Sequence, residues 1–317
     1  MADLPIFENL VFEGGGVKGI AYAGAIIQME ECNAIKHVQR VAGTSAGAIT
    51  ASLLSVGYEG KEIDHLIRHT NFKSFEDGCN PFRIFSKYGL YNGNAFLKWI
   101  KSKIAVKTND PDITFKELNA LYEANKHNPK GNPYKELRVF ATDLEEETIR
   151  EFSHRTTPEV KIAEAVRASM SIPLFFRAWR FPDGKPDDHL YVDGGVVYNY
   201  PLTTFDPPPP NDGEVNQPNE QTLGFFLYNK HSLKIKNDLK FWQLFSYIKY
   251  LFQTLLMAQV IDFDRDPSQV ERTVKIDDFG IPATDFGITP AQIQKLFLSG
   301  KAATKAYLEK KGFVCSA

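Results

Sequence analysis

Short apolar runs alternate with longer stretches of helical spacing from one end of this chain to the other. Leu10–Phe12, Val38–Ala42, Leu137–Thr142, Leu190–Val192, Gly224–Tyr228 and Arg272–Ile276 are apolar and of strand length. Helical spacing of apolar positions occupies 17–31, 46–56, 60–70, 94–104, 115–125, 159–169 and 290–309. Runs too short for a helix read as buried strands, and the longer periodic stretches as helices. The last helix opens Thr289-Pro290, a capping residue followed by proline at the first helical position, where the missing N–H has no partner to lose. Strands alternating with helices predict an α/β fold of three layers, α/β/α, around a mostly parallel central sheet. No internal repeat interrupts the pattern, and 317 residues are read as one domain spanning 1–317.

Two stretches break this rhythm. Asp206 and four prolines open a polar loop running to about residue 220, with Val215 its one apolar residue beyond the prolines. It is expected to be a mobile, solvated insertion. Residues 239–261 are the most apolar helix of the chain, interrupted by a narrow stripe of Lys240, Gln243, Ser246, Lys249 and Gln253. The interruptions argue against a membrane span. The wide aromatic face suits a core helix, a lid over a site or a contact with lipid. With only two lysines on the polar stripe, the core reading is the expectation.

Candidate chemistry begins at Gly43-Thr44-Ser45-Ala46-Gly47, which joins the strand ending at Ala42 to the alanine-rich helix after it. A serine hydroxyl is a poor nucleophile unless it is held out of the backbone trace beside a base and beside donors for an oxyanion. A sharp strand-to-helix turn with small neighbours does the holding. Upstream, Leu10-Val11-Phe12-Glu13 runs into Gly14-Gly15-Gly16-Val17-Lys18-Gly19 and a helix. Glycines at such a junction leave backbone N–H groups free for an anion. In a serine hydrolase that is the design of an oxyanion hole, with the N–H of Ala46 as a further donor. The same letters spell a dinucleotide fingerprint, but the next strand ends in Val41-Ala42-Gly43-Thr44-Ser45, without the acid that holds the ribose. Tyr191-Val192-Asp193-Gly194-Gly195 places an aspartate at a strand end, a candidate base.

Taken in order, Gly-Gly-Gly-x-Lys-Gly, Gly-Thr-Ser-Ala-Gly and Asp-Gly-Gly resemble the patatin-like phospholipase family. So do the segment Arg167 to Phe176, with Ala168-Ser169-Met170-Ser171-Ile172-Pro173, the Asn199-Tyr200-Pro201 after the aspartate, and Arg272–Ile276 through Asp285-Phe286 and the final helix. The resemblance covers most of residues 8–310. It implies a Ser–Asp dyad of Ser45 and Asp193, an oxyanion hole of Gly14, Gly15, Gly16 and Ala46, and supporting roles for Lys18, Gly43, Gly47, Gly194 and Gly195. Lys18 stands where many members carry arginine; it keeps the charge and loses the planar fork of donors. The activity implied is calcium-independent hydrolysis of fatty acyl esters of phospholipids or other acyl lipids at a membrane interface, without cofactor or metal. Some members need an activating partner or ligand, a point on which these residues are silent.

Composition adds exclusions. A net charge of −2 provides no basic footprint for nucleic acid, and 43% apolar with 24% charged residues is ordinary for a globular enzyme. Cys32, Cys79 and Cys315 are too few and scattered for a metal knuckle or a disulfide framework. The N-terminus lacks a signal-like apolar run. A cytoplasmic chain is expected, with export by a specialised machine left open. Asp262-x-Asp264-x-Asp266 starts like a calcium loop but has Pro267 and Thr273 where glycine and glutamate belong. His65 and His69 lack the glutamate of a metalloprotease helix.

Two rivals stay open at this stage. A Ser–His–Asp triad would draw on His231, the one histidine after Asp193. A binding protein on the same scaffold would need neither Ser45 nor Asp193 intact. The strength of Asp193 as a base turns on burial, which raises its pKa, against glycine N–H groups, which lower it.

Overall fold

The computed structural model describes residues 4–128, 131–208, 217–229 and 244–315. His231 lies outside these, as do residues 209–216 of the polar loop and 239–243 of the apolar helix. The strands are β1 (Asn9–Phe12), β2 (Arg40–Thr44), β3 (Gly89–Tyr91), β4 (Glu136–Asp143), β5 (Thr148–Ser153), β6 (Leu174–Phe176), β7 (Tyr191–Asp193), β8 (Thr222–Tyr228) and β9 (Thr273–Asp277). The α-helices are α1 (Ala21–Glu31), α2 (Ala46–Ser55), α3 (Gly60–Arg68), α4 (Arg83–Lys87), α5 (Asn94–Thr108), α6 (Phe115–Ala124), α7 (Ile162–Ser169), α8 (Leu244–Asp264), α9 (Pro267–Glu271) and α10 (Pro290–Lys310).

Six strands lie in the order β5-β4-β2-β1-β8-β9, and β7 pairs with β4. β4, β2, β1, β8 and β9 run parallel, while β5 and β7 are antiparallel to β4. Alternation of side chains along a strand sorts the sheet's residues into two cores. Leu10 and Phe12 of β1 face the larger one, with α1, α2 and α10, and Val11 faces the smaller one, with Tyr200, Leu202, Phe205 and Phe263. This is the expected mixed α/β arrangement. The expected strands and helices form with shifts of a few residues at their ends. β3, β5 and β6 add to the expected strands: β3 and the apolar β6 pair over three residues apart from the main sheet, and β5 is a half-exposed edge strand.

Thr289 caps α10 through its side chain to the Gln292 N–H, with Pro290 at the first position, as its sequence foretells. One expectation is corrected here. Cys32, after α1, and Cys315, after α10, form a disulfide across 283 residues of sequence. Spacing along the chain hides it, because the pair meets only once α1 packs on α10. Disulfides persist in oxidising compartments and are rare in the cytosol, which bears directly on the cytoplasmic expectation.

Candidate active site

Ser45 stands between β2 and α2 with φ 52° and ψ −119°, a conformation that a side-chain-bearing residue holds only under constraint. Its N–H donates to Ser169 Oγ at 2.8 Å, and that hydroxyl donates to Phe140 O at 2.5 Å. Close approach of backbones completes the constraint. A Cβ on Gly47 would strike the carbonyl of Phe12 in β1, and one on Gly43 the backbone of Gly47.

Asp193 reaches Ser45 through sheet register. Thr44, the last residue of β2, pairs with Phe140 of β4, and Asp193, the last of β7, pairs with Ala141. β5 occupies the other edge of β4, so β7 takes over the edge that β2 leaves. Ser45 Oγ donates to Asp193 Oδ2 at 2.6 Å, and the Gly195 N–H donates to Asp193 Oδ1 at 2.8 Å. Both side chains are buried. Burial pushes the Asp193 pKa up to about 7, against the lowering effect of the two hydrogen bonds. Of the two opposed effects named from the sequence, burial wins.

Among the described residues no histidine hydrogen-bonds to Ser45 or Asp193. His189 pairs instead with Asp143 Oδ2 at 2.8 Å, at the opposite end of β7. Asp143, Glu146 and His189 bring ligand atoms within 4.8 Å of one another, a grouping that histidine spacing along the chain did not suggest.

The glycine loop needs one correction. Gly14 N–H donates to Asn199 O at 3.0 Å, so it is already committed and is not a free oxyanion donor. Among the described residues the N–H groups of Gly15, Gly16 and Ala46 have no acceptor in the protein, as expected at the first positions of helical turns. Gly16 has φ +57°, and a Cβ there would run into Ala283 O. The loop is tied down from the C-terminal third of the chain: Val17 N–H donates to Ala283 O at 3.0 Å, and Lys18 Nζ meets Asp278 Oδ2 at 2.7 Å. That ion pair is how Lys18 supports the loop.

Comparison with known proteins shows the family of the chain. The profile of patatin-like phospholipases matches residues 10–206. YqhO of Bacillus subtilis is 31% identical over 95% of this chain and 97% of its own length. The chain belongs to the patatin-like phospholipase family. The probable lipid hydrolase 463L of Invertebrate iridescent virus 6 is 27% identical over 62% of each chain. VipD from Legionella pneumophila shares the fold with TM-score 0.58 and 20% identity, over 96% of this chain and 67% of VipD. Membership places the chain among lipid ester hydrolases.

Within this patatin-like site several residues escaped the motif reading. Glu13 is fully buried, accepting from Asn199 Nδ2 at 2.9 Å and from Leu227 N–H at 2.6 Å. Burial pushes its pKa up to about 8. Asn199 Nδ2 also donates to Gly14 O at 3.1 Å, so one amide ties β1, the glycine loop and the segment after Asp193. Arg167 is wholly buried and donates to Ser171 Oγ at 2.6 Å, while Ser171 O accepts the Asp193 N–H at 2.9 Å. Asn199 and Ser171 lie in segments the family resemblance flagged. Asp278 lies in the Arg272–Phe286 segment of that resemblance without being singled out, and Gln259 carried no such signal.

α8 overturns the core expectation for 239–261. Gln259 pins it over the aspartate loop, with its side chain accepting from Asn199 N–H at 2.6 Å and donating to Gly195 O at 3.0 Å. Near its C-terminal end Val260 and Phe263 pack on the smaller core. Yet Tyr247, Leu251, Leu255, Met257 and Ile261 are 41–55% exposed. Most of the helix therefore lies on the body with apolar residues outward. No helix among the described residues is long and apolar enough to cross a membrane.

An apolar cavity is lined by Ser45 together with Gly16, Val17, Met170, Ile172 and Phe286, among others. A cavity lined so largely by apolar side chains suits an acyl or other apolar ligand.

Proposed function

We propose that this chain is a calcium-independent lipid acyl hydrolase of the phospholipase A type, with Ser45 as nucleophile and Asp193 as base. The observation that carries the reading is the buried 2.6 Å Ser45–Asp193 hydrogen bond beside an apolar cavity that Ser45 lines. Ser45 Oγ bonds to the ester carbonyl carbon as its proton passes to Asp193 Oδ2. The N–H groups of Gly15, Gly16 and Ala46 hold the oxyanion. The acyl–oxygen bond breaks, and the departing lipid alkoxide takes the proton from Asp193. Water then attacks the acyl-Ser45, delivering a proton to Asp193 that returns to Ser45 as the fatty acid leaves.

An ordinary aspartate is too weak a base for this work; one with a pKa of about 7 is better matched to it. Base and oxyanion donors all come from the chain itself, so chelation should leave the rate unchanged. The outward apolar residues of α8 supply the contact with a lipid surface.

The test is release of fatty acid from mixed phospholipid vesicles, with EDTA present, by wild type and by Ser45→Ala, Asp193→Asn and His231→Ala. Loss in the first two variants alone supports the dyad. Loss in His231→Ala as well overturns it in favour of a triad. ExoU, which shares the fold, has been solved in complex with SpcU, and a partner that activates is a separate variable for this chain. An inactive wild type whose Ser45 still reacts with a fluorophosphonate would call for one, whereas an unreactive Ser45 would leave a binding role.

A further inference from the structure

The cavity has a direction. α2 starts at the residue after the nucleophile, and Ala46, Ile49, Thr50 and Leu53 line the cavity from one face of it. That is the i, i+3, i+4, i+7 spacing of a single helical stripe. From Ala46 to Leu53 the helix rises about 10 Å, so the apolar space runs from Ser45 alongside two turns of α2. α3 closes a second side with Ile63, Leu66 and Ile67, again one face of one helix.

The lining contributed by α5 and by the turn that follows α3 is aromatic: Phe72, Phe75, Phe96 and Trp99. These rings brace one another. Phe75 stands edge-on to Phe96 at 5.4 Å and to Trp99 at 5.6 Å, and Phe96 lies 5.9 Å from Trp99. Trp99 is further fixed by its Nε1–H, which donates to Thr70 Oγ1 at 3.2 Å. Phe96 and Phe75 are buried, so the cluster is joined to the core rather than hanging free. A wall of interlocked rings yields less than a wall of aliphatic side chains, because each ring is held by the next.

We propose that the Phe75–Phe96–Trp99 cluster is the floor of a single-acyl-chain pocket and sets the longest fatty acyl group that Ser45 can present for cleavage. This rests on the reading of Ser45 as the nucleophile of an acyl hydrolase and adds a selecting element to it. Thr50 is the one polar side chain among the α2 residues facing the cavity, and its hydroxyl is turned back to Ala46 O at 3.2 Å. The wall along α2 therefore presents carbon to the chain. Within such a channel each methylene that finds room raises kcat/KM about fourfold, and a chain that meets the floor gains nothing more.

The experiment is a ladder of p-nitrophenyl esters, from acetate through butyrate, octanoate and dodecanoate to palmitate, on wild type, Trp99→Ala and Leu53→Trp. Trp99 is half-buried and can be cut back with less damage than Phe96. The readout is the ratio of kcat/KM for a long ester to that for butyrate. Both rates come from one preparation, so the ratio does not depend on how much of it is folded. Wild type should show a rising profile with a break. Trp99→Ala should move the break to longer chains, raising the dodecanoate-to-butyrate ratio about tenfold or more, and Leu53→Trp should lower it by a similar factor. Ratios within about twofold of wild type in both variants would overturn the proposal.

If no ester is turned over, the same ladder is read as affinities of the free fatty acids for the Ser45→Ala protein by titration calorimetry. A break that moves in the two variants supports the floor, and one that stays put removes it. Absence of turnover with Ser45 unlabelled by a fluorophosphonate would count against the catalytic reading alone.

Discussion

The two sides of Ser45 are built on opposite principles. On one side the polar side chains are paired, and only the oxyanion-facing N–H groups are left free: Asp193 takes Ser45 and Gly195, Asn199 takes Glu13 and Gly14, and Lys18 takes Asp278. On the other side lies an apolar cavity whose walls come from faces of α2, α3 and α5. The polar side is worth its burial because its buried side chains are paired; one missing partner leaves a desolvated group exposed to the full penalty. The apolar side has no such all-or-none character, since removing one wall changes volume by degrees. On the proposed reading, chemistry resides where geometry is over-determined, and selection where it can vary.

Perturbing each side in turn is the way to sharpen that contrast. The largest effect is expected from Asp193→Asn, which keeps the shape and removes the base; kcat should fall about 10²- to 10⁴-fold. Fatty acid affinity, carried by the apolar side, should hold, and a parallel loss of affinity would show the two sides to be one unit. Asn199→Ala leaves Glu13 and Gly14 O short of a donor. It should lower kcat by about tenfold to a hundredfold through displacement of the loop, with the chain-length ratio unmoved.

Titration should read on the polar side alone. Asp193 must be ionised to take the proton, so kcat/KM should fall toward tenfold per pH unit below its pKa of about 7, with the same chain-length ratio at each pH. Stability runs the other way. Asp193 and Glu13 are raised from 3.8 and 4.5 to about 7 and about 8, so the native state holds protons that the unfolded chain has released. Stability is full below the lower values and is lost as pH rises through the higher ones. Thermal unfolding followed across that window should show the decline, and Glu13→Gln should flatten it. The smallest effect on catalysis is expected of Cys32→Ser, which opens the disulfide to Cys315. It should cost about 2–5 kcal/mol of stability, measured by denaturant unfolding, and leave rates of the folded enzyme close to wild type.

Legibility from the sequence followed locality. The turn at Ser45 is encoded within Gly43 to Gly47, because the crowding it must survive comes largely from its own neighbours and from β1. The role of Gly14 was misread for the opposite reason: its N–H is taken by the carbonyl of Asn199, far along the chain. The 239–261 helix was read as core from its apolar content, since composition cannot tell which face the rest of the fold will cover. Gln259, an ordinary polar residue in that helix, turns out to hold α8 against the aspartate loop.

By itself the sequence determined the alternation of strands and helices, the strand-to-helix turns that carry Ser45 and the glycine loop, and Ser45 and Asp193 as the candidate pair. Backbone sterics and side-chain periodicity act over a few residues, so these features are written locally. Only the tertiary structure decided that Asp193 would lie 2.6 Å from Ser45 across 148 residues, because that distance is the product of where β2 stops and β7 begins along β4. It alone decided the base strength of Asp193, which is a matter of burial, and the Cys32–Cys315 link, which needs α1 against α10. The cavity and its aromatic wall belong to the same class: a void has no residues of its own, and its shape exists only when separate helices are packed around it.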